Sequence, residues 1–327
     1  MSTRRKLTLW VSLGCCLPLS AFAIAKPKVI GILNPYFPAN VQVPLDRFDH
    51  EMQLLGYVKG THYVTVQRMA EGRDERLPAM AEELVKLKVD VILATPTIAV
   101  VEAQRATSTT PIVFVSVADP VGAGFAVSLA HPGRNLTGIS NVAGVAGDLS
   151  GKRLEFLKQM VPGLARVAFL MTPKTNYSAF MPRMQANAQA LGLVTTIVEA
   201  PLPLDLEPVF KTVAATDAQA LDVLGDAYLW RARSQVAALA LRARLPTSFI
   251  FAEHVEAGGL MSYGADQQDW VRQAAVFVDK IFKGAKPGDL PIEQPSKIDL
   301  VINRKTASVL GLVIPQTLLL QAARVIE

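Results

Sequence analysis

Cysteine is almost missing from this 327-residue chain: the only two, Cys15 and Cys16, are adjacent and fall within the first 25 residues. The rest of the chain therefore has no disulfide framework and no thiol chemistry. Histidine is scarce too. His50, His62, His131 and His254 stand alone, without the spacing that presents a pair of metal ligands. Catalytic signatures are also lacking. Gly31-Ile32-Leu33-Asn34-Pro35 follows the first apolar run where a dinucleotide site would carry GxGxxG, and there is no GxxxxGK[ST] loop and no GxSxG elbow. Carboxylates such as Asp119, Asp226 and Glu253 are available for acid or base work, but no spacing pairs them. The chain reads as a non-enzyme with no cofactor and no metal.

What is present begins with a distinctive first 25 residues. Arg4, Arg5 and Lys6 precede an apolar run from Leu7 to Phe22, about 16 residues long, which Gly14 and Pro18 interrupt. It is shorter than the roughly 20 residues a spanning helix needs. The small-residue sequences Ala21-Phe22-Ala23 and Ala23-Ile24-Ala25 follow, so the segment reads as a secretory signal cleaved after Ala23 or Ala25, with a periplasmic product. Ser12 stands three residues before Cys15, and Cys15 directly precedes Cys16, so neither cysteine fits a lipidation box. Removing three cations lowers the formal charge from +5 to +2, which gives no basis for a nucleic-acid partner. No later apolar run reaches membrane-spanning length.

Beyond this segment, strand-like and helix-like periods alternate. Buried-strand runs occupy Lys28–Leu33, Tyr63–Gln67, Val89–Ala94 and Pro111–Val117, then Arg166–Met171, Leu193–Glu199, Ala220–Leu224, Thr247–Phe251 and Ile298–Ile302. Helical periods separate them, such as Leu77, Met80, Ala81, Leu84 and Leu87, and a helical tail closes the chain. This order specifies an α/β fold of parallel sheets covered by helices. Nine such units divide best into two doubly wound lobes of about five strands each, joined by crossing strands. Leu136–Asn141 and Gly258–Gly264 are the expected crossings, with a third beyond the Pro- and Gly-rich loop Pro287–Pro295. The expected division is residues 26–138 with about 264–293 in one lobe, and 139–263 with about 294–327 in the other.

In such a clamshell, ligands sit where the carboxyl ends of both sheets face one another. The residues following each strand are therefore the candidate ligand-binding set: Asn34, Thr95, Thr97, Asp119, Asn141, Tyr177, Asp226 and Glu253. Thr95 suits a helix cap and Pro96 a first helical position, leaving the amides of Thr97 and Ile98 facing a ligand carboxylate. Asp226 and Glu253, from strand ends of the other lobe, suit a ligand ammonium, or alternatively cap the helices that follow. Tyr36, Tyr177 and Phe251 offer stacking surface. Arg231, Arg233, Arg242 and Arg244 read as a solvated helix face.

Several longer segments carry a family resemblance. Asp119-Pro120-Val121-Gly122-Ala123-Gly124-Phe125, Ser128–Gly138, Ser150–Glu155, Val255–Gly264, Val278–Pro287 and Val301–Ala307 are similar to the signature of a bacterial ABC-transporter substrate-binding family of the tryptophan/tyrosine type. Arg134 and Leu136 stand where that family often has Gly and Ile, and Asn34–Pro38 departs from it. The resemblance implies a type I periplasmic-binding fold and a small-molecule ligand, usually an aromatic amino acid. It also implies a membrane ABC permease with its ATPase as partner. An exported sensor subunit and a two-lobed periplasmic enzyme are the alternatives. The recovered soluble protein should begin at Ile24 or Lys26, as N-terminal sequencing of the periplasmic fraction would show; an intact terminus on membrane-bound protein would contradict the signal reading.

Overall fold

Aliphatic strands in this chain are short and apolar on both sides, so each sheet must be covered twice. The computed structural model describes residues 26–117, 119–140, 149–173, 180–295 and 297–327. The expected signal segment, Asn141 and Tyr177 lie outside the described residues. The first lobe starts with β1 (Lys28–Asn34), α1 (Pro38–Leu54), β2 (Tyr63–Met69) and α2 (Leu77–Lys86). It continues with β3 (Val91–Ala94), α3 (Thr97–Ala106), β4 (Ile112–Val117) and β5 (Leu136–Ser140). These strands form one five-stranded sheet in the order β2-β1-β3-β4-β5, parallel throughout.

The second lobe opens with α4 (Ser150–Met160), β6 (Arg166–Met171), α5 (Met181–Ala190), β7 (Val194–Glu199) and α6 (Leu206–Ala215). Then come β8 (Ala220–Val223), α7 (Ala227–Arg231), α8 (Arg233–Arg242), β9 (Thr247–Phe249), α9 (Ala252–Glu256) and β10 (Met261–Ala265). The chain next returns to the first lobe, where α10 (Gln267–Phe282) packs on α1, β4 and β5. It crosses back into β11 (Ile298–Asn303), α11 (Arg304–Leu310), α12 (Gln316–Gln321) and β12 (Arg324–Ile326). The second sheet has seven strands in the order β12-β11-β10-β9-β8-β6-β7, with β10 and β11 antiparallel.

The expectation of about five strands in each lobe is thus corrected in the second. The tail is not wholly helical: β12 adds a parallel edge to β11. Its three residues are too few to show a period in the sequence. Close backbone approach explains two glycines in the crossing segments. A β-carbon at Gly138 would lie 2.0 Å from the Phe114 carbonyl oxygen, and one at Gly264 would lie 2.0 Å from that of Ile250.

Each sheet is buried on both faces. Phe48, Met52, Val113 and Trp270 pack on one side of the first sheet, and Leu84, Ile92, Val100 and Phe114 on the other. The second sheet carries Leu157, Phe169 and Met184 on one face and Leu170, Phe210 and Leu239 on the other. Inside this lobe, Arg153 of α4 grips Asp222 of β8 through two bonds, Nε to Oδ1 at 2.7 Å and Nη2 to Oδ2 at 2.8 Å. Ser248 Oγ donates to the same Oδ1 at 2.6 Å. Both charged side chains are almost fully buried, so removing one strands the other. Arg153→Met should destabilise the fold by about 3–5 kcal/mol, and adding Asp222→Leu should recover most of that loss. Urea unfolding of both variants checks it; equal damage in single and double variants would refute the ion-pair account.

Candidate functional site

Parallel strands deliver all their carboxyl ends to one edge of a sheet, and here the two edges face each other across a cavity of about 870 Å³. The first lobe supplies the ends of β1, β3 and β4, with Asn34, Tyr36, Thr95, Thr97 and Ser116 on the wall. The second supplies the segments after β8 and β9, with Asp226, Tyr228, Trp230, Phe251 and Glu253. Arg47 and Phe48 of α1, Trp270 of α10 and Arg233 of α8 also line it.

Aromatic rings bridge the lobes. Asn34 is buried and its Oδ1 accepts from the Tyr36 backbone at 2.8 Å, turning the chain after β1 so that Tyr36 meets Trp230. Their ring centroids are 4.8 Å apart with a tilt of 33°. Arg233 lies over the Trp230 ring at 4.4 Å, and Arg231 over Tyr228 at 4.8 Å. Arg231 Nη1 also reaches Asp74 of the first lobe at 3.2 Å, and Tyr228 lies near the same carboxylate. Phe251 meets Trp270 edge to face at 5.9 Å, another contact between the lobes. The lobes are therefore closed onto one another. Arg231 and Arg233 are half-buried against these rings, which corrects their reading as a solvated face; Arg242 and Arg244 are exposed.

The strand-end residues divide by environment. Thr95, expected as a helix cap, is not one. Its peptide bond to Pro96 is cis, Pro96 itself occupies the cap position, and α3 begins at Thr97. A proline cap offers no side-chain acceptor to the amides of Thr97 and Ile98, whereas Ala99 N donates to the Pro96 carbonyl at 2.9 Å. Asp119 is turned away from the cavity wall: its Oδ1 accepts from Gly122 N at 2.8 Å within a local turn. Asp226 does border the cavity, yet it caps α7. Its Oδ1 accepts from Tyr228 N at 2.8 Å and Leu229 N at 2.9 Å, and its Oδ2 from Thr172 N at 3.3 Å. Burial raises its pKa, and the three amides oppose that rise.

Glu253, in the first turn of α9, is the more adaptable acid. Burial, with the Glu256 charge nearby, pushes its carboxyl up to about 7, against the pull of its own backbone amide and of Arg233 and Arg324. His254 beside it is driven down to about 3 by burial and by Arg233, and stacks on Phe249 at 4.6 Å between centroids. It is a neutral packing residue. Among the described residues, no group of three or more His, Cys, Asp and Glu side chains is placed to hold a metal ion. Trp230, Trp270 and Tyr228 were not legible from strand ends, because they sit on helices where an aromatic at helical spacing reads as core, and Arg233 because it reads as part of a solvated helix face.

The profile of the ABC transporter substrate binding protein family matches residues 48–326. A tyrosine-binding protein from Clostridioides difficile is 23% identical over 291 residues, covering 88% of this chain and 82% of that one. A solved domain from Streptococcus pneumoniae in complex with L-Trp has 25% identity and a TM-score of 0.84, covering 92% of this chain and all of that one. A ligand-free, open substrate-binding protein from Clostridium difficile gives a TM-score of 0.68 at 22% identity, covering 91% of this chain and 99% of that one. The fold is that of type I periplasmic-binding proteins, which ABC sugar and solute receptors share.

The pKa of Glu253 makes a pH prediction. Folded Glu253 keeps its proton to about pH 7, whereas the ordinary value is 4.5. Stability must then fall as pH rises through that interval and stay reduced above it. Glu253→Gln should match the wild type at pH 4 and exceed it by on the order of 2 kcal/mol at pH 8. Urea titrations at both pH values measure this, and parallel pH profiles would refute it.

Proposed function

Because the chain belongs to the ABC transporter substrate-binding protein family, we propose that it captures an amino acid with an aromatic side chain and delivers it to an ABC permease with its ATPase. The observation that carries this reading is the composition of the cleft wall. Tyr36, Trp230, Phe251 and Trp270 surround the cavity from both lobes, with Glu253 in the second lobe and the first turn of α3 in the first. Rings stack on a flat apolar side chain. The α3 amides favour a carboxylate, and Glu253, once ionised, favours an ammonium. Asp226 is committed to its cap, so Glu253 is assigned the amine. Relatives that bind tyrosine or hold L-Trp support the same ligand class.

In this reading the protein binds its ligand without transforming it. Each sheet with its helices is one rigid body, with boundaries near the crossings after β5, after β10 and before β11. Closure brings contacts from both bodies to the ligand at once. Export fits the composition of the first 25 residues, with cleavage after Ala23 or Ala25 releasing the protein to the periplasm. Among the described residues no helix is long and apolar enough to cross a membrane.

Thermal shift and calorimetry with L-tryptophan, L-tyrosine, nucleosides and simple carboxylates test the assignment. An aromatic amino acid at 100 times its Kd should stabilise the protein by about 2.7 kcal/mol. Its affinity should rise between pH 6 and 8 as Glu253 ionises, and Trp230→Ala should weaken it about tenfold or more. A response to nucleosides alone, or to no amino acid, would refute the assignment.

A further inference from the structure

Strand β4 contains a backbone conformation that its side chains disfavour. Ser116 has φ of 63°, in the left-handed region where a β-carbon crowds the following carbonyl. Among the described residues, the other non-glycine positions of this kind are Glu71, Lys88, Asp217 and Arg244. All four stand in turns, and Lys88, Asp217 and Arg244 each follow the end of a helix, where this conformation is a common terminator. Ser116 alone lies within a strand. There the pairing of β4 with β5 slips: Val115 faces Ile139 and Val117 faces Ser140, so Ser116 is the extra residue of a bulge. Bulges re-aim side chains beside functional sites, and this one brings Ser116 to the wall of the interlobe cavity.

No glycine has taken this position, although glycine would adopt the conformation freely and relieve the strain. A hydroxyl is what serine adds. We infer that Ser116 is an affinity-determining contact for the cavity's ligand, and that the β4 bulge stores strain in order to present its hydroxyl there. Ser116 already interacts within the protein. A hydroxyl offers one donor and two acceptor positions, so a ligand atom can share it with an internal partner. This rests on the ligand-binding role proposed for the cleft, and it adds a polar determinant on the first lobe that does not involve Glu253.

Two substitutions separate strain from contact. Ser116→Ala keeps the β-carbon and removes the hydroxyl; Ser116→Gly removes both. Without ligand, the alanine variant should melt within about 1 °C of the wild type and the glycine variant about 2 °C higher. With L-tryptophan as probe, calorimetry should show both variants binding roughly three- to tenfold more weakly, the loss of one hydrogen bond. A merely structural bulge would move the melting temperatures and leave affinity alone. Wild-type affinity in both variants would overturn the inference, as would a glycine variant that melts below the wild type. Failure of the wild type to bind L-tryptophan sinks only the amino-acid reading. The variants are then titrated with the screened compound that most stabilises the wild type, and equal affinities again overturn the role of Ser116.

Discussion

Much of the second lobe's side of the cleft depends on one half-buried carboxylate. Asp226 takes hydrogen bonds from the backbone of Thr172, beyond β6, and from Tyr228 and Leu229, in the first turn of α7. Burying that group costs free energy because the charged form loses its water, and three amide donors offset the cost. The result is mechanical. The carboxyl end of β6 is tied to the segment after β8, and α7 starts in a fixed direction. Tyr228, Trp230 and Arg231 project from that helix, and these are the residues that meet Tyr36 and Asp74 of the opposite lobe. An acid that borders the cavity thus acts by holding neighbours in place.

The charge pattern follows the same economy. Arg231 and Arg233 rest on ring faces, where a guanidinium is attracted to the π-system. His254 is kept neutral and packed. Glu253 is left as the acid whose ionisation falls near neutrality, and Ser116 as a neutral polar group held by strain. A wall of aliphatic and aromatic side chains set with polar groups from both lobes, such as Asn34, Thr97, Ser116 and Glu253, suits an amphipathic small molecule.

The fold was legible wherever the sequence pattern was long enough to carry a period. Runs such as Val29–Leu33 and Val113–Val117 are too apolar to be anything but covered strands, and their alternation with helices implied parallel sheets. Residues at strand ends were legible for the same geometric reason: Asn34, Thr95, Thr97, Asp226 and Glu253 all reach the cavity wall. Asp119 shows the limit of that rule, since the turn after β4 folds its carboxylate back on Gly122. The cap at Thr95 failed because Pro96 itself stands at the cap position, in extended backbone, and α3 begins at Thr97. Trp230 and Trp270 were hidden because nothing in a helical aromatic tells whether it faces a core or a cleft. The strain at Ser116 had no sequence signal at all, because serine is ordinary in a strand and only the register of β5 exposes the bulge.

The three crossings also govern how the chain can be assembled. The first sheet is continuous from residue 28 to 140, but one of its faces is closed by Trp270 and Phe277 of α10. That helix arrives only after ten strands have been laid down. The second sheet likewise waits for β11 and β12 at the end of the chain. Neither lobe completes its core from a contiguous stretch, because one face of each sheet waits for a distant segment, and closing such long loops slows folding. A growing chain of this design leaves one face of the first sheet uncovered until α10 has been made, and one edge of the second unpaired until β11 and β12 have followed.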